Sequence, residues 1–340
     1  VRPVIAGLGV AYPPAVSQEA LWDGFFAGHY REVHAARRIF AHSGVARRHP
    51  AVDPVREDIS ALGTGARMSR YVETALPLGR TAVAAALADA GLAAADIGLL
   101  AVATCTGYAT PGVDVRLAAD LGFAPDVSRL LIGHMGCYAA LPALGAVTDY
   151  VTARRRPAVL LCVEVTSLHI QPPTRDLSQV VSHALFSDAA AAVVVRPEAP
   201  GYAVLDVIAA TDPATADQMT WDVTDLGFRM GLSARVPDSL ATQLPGLVAT
   251  LLDRHGLDRT DVAHWAVHPG GPRILDVVQK ELDLPPSALA PSRDTLRDHG
   301  NCSSPTVLLV LQRIAAAPGE YVVALAFGPG LTLYGALLRA

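Results

Sequence analysis

The sequence predicts an α/β protein built of two similar halves, on three observations. Long Ala- and Leu-rich helical segments alternate with short apolar segments of β character. Hydrophobic residues make up 51% of the 340 positions and charged residues only 17%, enough apolar side chain to bury a large core. Each half runs strand, small-residue turn, helix, as a duplicated fold would. In chain order, residues 18–50 are mixed in charge and read as helix and turn. Residues 75–91 place apolar side chains at three- and four-residue spacing up to Gly91, an amphipathic helix with a glycine stop. Segments 98–104, 157–164, 189–195, 262–268 and 321–327 are short apolar runs flanked by turn residues, which suits strands covered on both faces. Such alternation predicts helices layered on mostly parallel sheets. The seam falls at 197–204, a Pro/Gly-bearing connection, giving halves 1–200 and 201–340.

Composition excludes several classes. A net charge of -5 provides no basic field for nucleic acid. The longest apolar runs, 186–195 and 321–327, are too short to span a bilayer, so no membrane association is expected. No N-terminal segment resembles a signal peptide. Cys105, Cys137, Cys162 and Cys302 are scattered without CxxC spacing, which suggests neither a disulfide framework nor a metal site. A reduced, cytoplasmic protein is the expectation.

Three motifs can carry chemistry. In Gly133-His134-Met135-Gly136-Cys137, a thiol follows an apolar segment and opens an Ala/Leu-rich helix. A cysteine at a helix N-terminus has its thiolate stabilised by unpaired N–H groups, and Gly136 permits the turn; the competing reading is a buried structural cysteine. In Trp265-Ala266-Val267-His268-Pro269-Gly270-Gly271-Pro272, a histidine ends a strand beside a loop of little side-chain bulk. In His299-Gly300-Asn301-Cys302-Ser303, an asparagine sits in a turn ahead of the apolar segment 306–315, as a turn or cap residue or as a partner of His268. Gly328-Pro329-Gly330 follows the last strand and lets backbone approach a site.

A cysteine, a histidine and an asparagine on separate strand-to-helix turns suggest nucleophilic catalysis on thioesters. A thiolate accepts an acyl group from a thioester at little free-energy difference. His268 as an imidazolium would lower the Cys137 pKa. His268 and Asn301 would together hold a thioester oxygen and stabilise the enolate left when a malonyl thioester loses carbon dioxide.

Cys137 in GCYAALPAL, Phe186 in HALFSDAAAA, His268 in WAVHPGGPRILD, Asn301 in HGNCSSP and the ending AFGPGLTLYGALL occur in order. Together they resemble the chalcone synthase-like, type III polyketide synthases, from about residue 70 to the C-terminus. The resemblance implies a thiolase-like fold of αβαβα layers, a homodimer, and free CoA thioesters as substrates with no resident cofactor. It implies an acyl-CoA starter loaded on Cys137, condensation with malonyl-CoA, and cyclisation to a phenolic, resorcinol or pyrone product. Phe186 matches the family's gatekeeper between the CoA tunnel and the cavity. Cys105, Thr106, His169, Met230, Gly270, Gly271 and Pro329 fall at substrate-facing positions, and Arg37, Arg38 and Arg47 in the segment that holds CoA phosphates. That basic segment also reads as an ordinary solvated helix. His169 stands where plant members carry a smaller threonine, which argues against a plant chalcone product. Met219-Thr220-Trp221-Asp222 with Gly227-Phe228-Arg229-Met230 looks like bacterial members of the family.

Three other readings compete. A ketoacyl synthase III-type enzyme shares the fold and triad but takes a carrier-protein substrate; the His-Pro-Gly-Gly-Pro loop favours the polyketide branch. A papain-like hydrolase also orders Cys, His and Asn, but its cysteine lies near the mature N-terminus. A non-catalytic thiolase-fold partner subunit tends to lose the nucleophile, and here all three residues are present.

Overall fold

A computed structural model describes residues 2–340. Its strands in chain order are β1 (Pro3–Ala11), β2 (Val16–Ser17), β3 (Arg47–Arg48), β4 (Leu99–Thr104), β5 (Ser128–Gly133), β6 (Ala158–Glu164), β7 (Ala189–Pro197), β8 (Tyr202–Thr211), β9 (Met219–Thr224), β10 (Gly227–Leu232), β11 (Val262–Val267), β12 (Tyr321–Gly328) and β13 (Thr332–Arg339). Nine form one ladder in the order β11-β12-β13-β8-β1-β7-β6-β4-β5. Only β4 with β6, β4 with β5 and β11 with β12 run parallel; the other neighbours are antiparallel. The sheet is therefore not mostly parallel, as the alternation had suggested. β12 turns into β13 through a connection too short for a crossover, which dictates antiparallel pairing.

The order β8-β13-β12-β11 repeats β1-β7-β6-β4, with the same sequence of antiparallel and parallel pairings. The two halves are joined where β1 meets β8 at just two residue pairs, Val4 with Ala203 and Ile5 with Tyr202.

Strand alternation divides the apolar side chains among layers. Leu100, Val102, Val159, Leu161, Ala192 and Val194 face the long helix Thr64–Ala90 and the helix Val113–Leu121. Their neighbours Ala101, Ala103, Leu160, Cys162, Ala191 and Val193 face a central layer. That layer holds the helices Ala140–Arg154 and Thr306–Gln312, covered from the other side by Val322, Ala324 and Ala336. The opposite face of the second half, with Val323, Leu325 and Leu333, packs on the helices Val236–Asp253 and Pro272–Glu281. Helix, sheet, helix, sheet, helix is the αβαβα arrangement. The helix read at 75–91 begins earlier, at Thr64, and tolerates Pro77.

Residues 18–50 are not simply a solvated surface. Leu21, Phe26, Tyr30 and Phe40 are buried against Ile170, Val180 and Ala184, so this segment is docked by aromatic side chains. No helix of the described residues is long and apolar enough to cross a membrane.

Candidate active site

The site assembles from turns that follow strands or helices in both halves. After β5, His134 and Gly136 take positive φ values of 61° and 80°, bending the chain into a tight turn at Gly136–Tyr138 that leads into the helix Ala140–Arg154. A Cβ at position 136 would stand 2.7 Å from Cδ of Pro329, so only glycine fits here. Cys137 is thereby held at the head of the central helix, 8% exposed. His268 follows β11 and is 1% exposed; its N–H donates to the Leu325 carbonyl at 2.8 Å. Among the described residues neither His268 ring nitrogen has a hydrogen-bond partner. For a wholly buried imidazole that is unusual.

Asn301 is fixed from both sides. Its N–H donates to the Leu185 carbonyl at 2.8 Å and its carbonyl accepts from Ser187 N–H at 2.9 Å, a parallel bridge with Phe186. Its Oδ1 accepts from Ser303 N–H at 2.8 Å, and Nδ2 donates to the Gly270 carbonyl at 3.4 Å. The structure thus ties Asn301 to the loop carrying His268 and to Phe186.

Burial pushes the Cys137 thiol up to about 11, against the lowering pull of hydrogen bonds from Ser303 and Asn301, while the charge of Glu164 adds to the rise. Burial alone pushes His268 down to about 3. Among the described residues no carboxylate is hydrogen-bonded to His268, and burial works against the imidazolium that the sequence reading invoked. Each shift is the cost of one lone charge.

Glu164, which the motif reading passed over, anchors the floor. It is wholly buried and accepts from Cys105 N–H at 2.9 Å, Cys105 Sγ at 3.3 Å, Thr106 Oγ1 at 2.7 Å and Ser304 Oγ at 2.7 Å. The polar atoms of Cys105 and Thr106 are therefore already engaged. Ser303, also missed, lies between the two thiols: its Oγ is 3.6 Å from Cys105 Sγ. The available signal for Glu164 was a lone carboxylate ending an otherwise apolar strand.

His169 bridges Thr106 and β10. Its Nδ1 accepts from Phe228 N–H at 3.0 Å, so Nε2 carries the proton donated to the Thr106 carbonyl at 2.7 Å. It stacks on Phe228 at 4.5 Å and meets Trp221 edge-on. Trp221 donates its indole N–H to the Cys105 carbonyl at 2.8 Å and lies 6.3 Å from Phe186. The β9–β10 hairpin is thus pinned against Cys105, His169 and Phe186. Met230 pairs across that hairpin with Trp221, and its carbonyl binds Gln179; its tie is to the helix Leu177–Leu185. Gly270 and Pro329 border the Asn301 and Cys137 turns, and Gly271 packs near Leu185.

Arg37 and Arg38 are exposed on the short helix Ala36–Ala41, and Arg37 lies over the Trp22 ring. Arg47 is exposed and pairs with Asp298 at 3.3 Å. No group of three or more metal-ligating side chains occurs among the described residues.

Residues 4–199 match the family described as chalcone and stilbene synthases, N-terminal domain, and residues 206–340 match its C-terminal domain. The chain is 39% identical over 317 residues to a 1,3,6,8-tetrahydroxynaphthalene synthase of Streptomyces peucetius subsp. caesius, covering 89% of this chain and 83% of that protein. It is 33% identical over 320 residues to an alpha-pyrone synthesis polyketide synthase-like protein of Mycobacterium tuberculosis, covering 88% and 81%. Its structure is similar to that of the 1,3,6,8-tetrahydroxynaphthalene synthase of Streptomyces coelicolor A3(2), a bacterial type III polyketide synthase, with a TM-score of 0.93, 28% identity and 99% of both chains covered.

Proposed function

Because the chain belongs to the chalcone and stilbene synthase family and is a type III polyketide synthase, we propose that Cys137, His268 and Asn301 carry its condensing chemistry on CoA thioesters. The observation that supports these roles is the wholly buried His268 with two unpartnered ring nitrogens, beside an Asn301 amide held toward the same turn as Cys137. In loading, Sγ of Cys137 attacks the carbonyl of an acyl-CoA starter while His268 takes the thiol proton. The CoA sulfur leaves and recovers that proton. In extension, malonyl-CoA loses its carboxylate as carbon dioxide, and the electron pair becomes an enolate. The enolate oxygen accepts hydrogen bonds from Asn301 Nδ2 and the neutral His268 N–H, donors fixed in a site without bulk water. The carbanion carbon then attacks the Cys137 thioester, and the thiolate leaves. Repetition and ring closure give a phenolic, resorcinol or pyrone product.

CoA thioesters enter as substrates, with Arg37, Arg38 and Arg47 meeting the phosphates at the surface. A homodimer is supported by the free edge of β5, where Leu130 and Leu131 are 38% and 48% exposed. Four free, buried cysteines suit a reducing cytoplasm. A panel of acyl-CoA starters with malonyl-CoA, followed by mass analysis, tests the reading, with malonyl-carrier protein as the second arm. Products only from the carrier-protein arm would favour a ketoacyl synthase III-type reaction; no product from either arm would remove the reading.

A further inference from the structure

The helix Leu177–Leu185 ends directly before Phe186, and its last carbonyls need donor partners. Ser182 O accepts from Phe186 N–H, Ala184 O from the Gln18 amide at 2.7 Å, and Leu185 O from Asn301 N–H. The remaining carbonyl, His183 O, accepts from Nη1 of Arg48, which also reaches Phe186 O at 3.2 Å. Arg48 is 6% exposed and has no carboxylate partner among the described residues. Its guanidinium lies 5.4 Å from the Phe26 ring centre and 5.9 Å from that of Phe40. A cation at a helix C-terminus, beside two adjacent aromatic rings, keeps its charge although buried. Nε and Nη2 have no protein acceptor, but the adjoining void is about 30 Å³. That is room for water at these two donors.

The same side chain supports the asparagine turn. Gly300, at φ 73°, lies so close that a Cβ there would be 3.3 Å from Arg48 Cγ. The flanking residues follow suit: Ala46 N–H donates to Arg297 O at 2.8 Å, Arg47 pairs with Asp298, His49 Nε2 meets His299 Nδ1 at 3.0 Å, and His49 N–H donates to Ser187 Oγ at 2.8 Å. Residues 46–49 thus run along 297–300, with Arg48 at the point where that turn meets Phe186.

We propose that Arg48 is the positioning residue that sets Phe186 and Asn301 together for malonyl decarboxylation. It acts through backbone carbonyls and packing and touches no substrate. Loading requires Cys137 and His268, neither of which is bonded to Arg48, whereas decarboxylation requires Asn301. The inference rests on the roles proposed above, and it predicts that the two half-reactions separate.

The test uses Arg48→Met and Arg48→Lys in the full chain. Acylation of Cys137 by a starter acyl-CoA is followed by intact-protein mass, and malonyl-CoA decarboxylation by acetyl-CoA formation. Displacing a catalytic amide by the order of an ångström costs roughly 100-fold. Arg48→Met should therefore slow decarboxylation by that order while acylation stays within about threefold. Arg48→Lys, which keeps the charge and one donor, should recover about tenfold. If Arg48→Met does not fold, Arg48→Lys and Ser187→Ala carry the test, with smaller losses confined to decarboxylation. Equal losses in both steps, or none in decarboxylation, in any folded variant overturn the proposal. A wild-type protein that neither acylates Cys137 nor decarboxylates malonyl-CoA would instead remove the triad assignment beneath it.

Discussion

Replacing His268 with Gln tests how the thiolate arises. The ring has no acceptor or donor among the described residues, so the substitution breaks no internal hydrogen bond and leaves the Cys137 turn in place. What it removes is the base that takes the thiol proton. Without it, Cys137 ionises alone, and burial holds that thiol up to about 11. At pH 7 the thiolate fraction is then of order 1 in 10,000, since each pH unit below the pKa lowers it tenfold. In the wild type, proton transfer to His268 lets the thiolate form without releasing a proton to solvent. Alkylation of Cys137 by iodoacetamide, read by intact-protein mass against pH, separates the two cases. The wild type should react at a rate nearly flat between pH 7 and 9, and at least about 100-fold faster than His268→Gln at pH 7. The variant should gain about tenfold per pH unit across the same range. Equal rates with parallel pH slopes would refute the pairing of Cys137 with His268.

Cys137→Ala should abolish product formation yet continue to convert malonyl-CoA to acetyl-CoA, because the enolate donors on His268 and Asn301 remain; condensation at the wild-type rate would end the mechanism. Gly136→Ala places a Cβ 2.7 Å from Pro329 in a positive-φ turn and should lower the melting temperature and the rate of Cys137 acylation together, by about 1–3 kcal/mol of stability in thermal unfolding. Asp298 feels a raising pull from burial, outweighed by hydrogen bonds from Arg297 and Arg313 that hold it at about 2. Its folded pKa is depressed, so its contribution is present above its unfolded value near 4 and is lost as pH falls toward about 2. Asp298→Asn should therefore flatten the acid limb of stability between pH 4 and 2 in denaturant titrations and leave the limb above pH 6 unchanged in slope. Leu131→Lys on the free edge of β5 should shift the protein from dimer to monomer by sedimentation; an unchanged sedimentation coefficient would place the interface elsewhere.

Much of the site was legible in the sequence because it depends on local chain geometry. A thiol after an apolar strand and a glycine, a histidine before Pro-Gly-Gly-Pro, and an asparagine in a small-residue turn each announce a strand or helix end where a side chain can meet a ligand. The alternation of helical and apolar β segments likewise indicated an α/β fold, since one-residue and three-to-four-residue spacings are written directly into the chain. Pairing direction was not. The antiparallel ladders of β1 with β7 and β13 with β8 join residues far apart in sequence, and an apolar strand buried on both faces carries no mark of its neighbour's direction.

The remaining features exist only in three dimensions. Glu164 looked like one acidic residue at a strand end until the fold gathered Cys105, Thr106 and Ser304 as donors around it. In the sequence Arg48 is simply the neighbour of Arg47 in a basic segment; in the fold it is buried beside Phe26 and Phe40 and bonded to the Phe186 carbonyl. The shifts of Cys137 and His268 come from burial in the same way. Sequence named the thiol and the imidazole, but the state each holds depends on the water excluded around it, and burial is a property of the assembled layers. Sequence alone therefore determined which residues can react and what kind of fold presents them. Tertiary structure decided which of them face one another, and how costly a charge is on each, because distance and desolvation are set by residues remote in the chain.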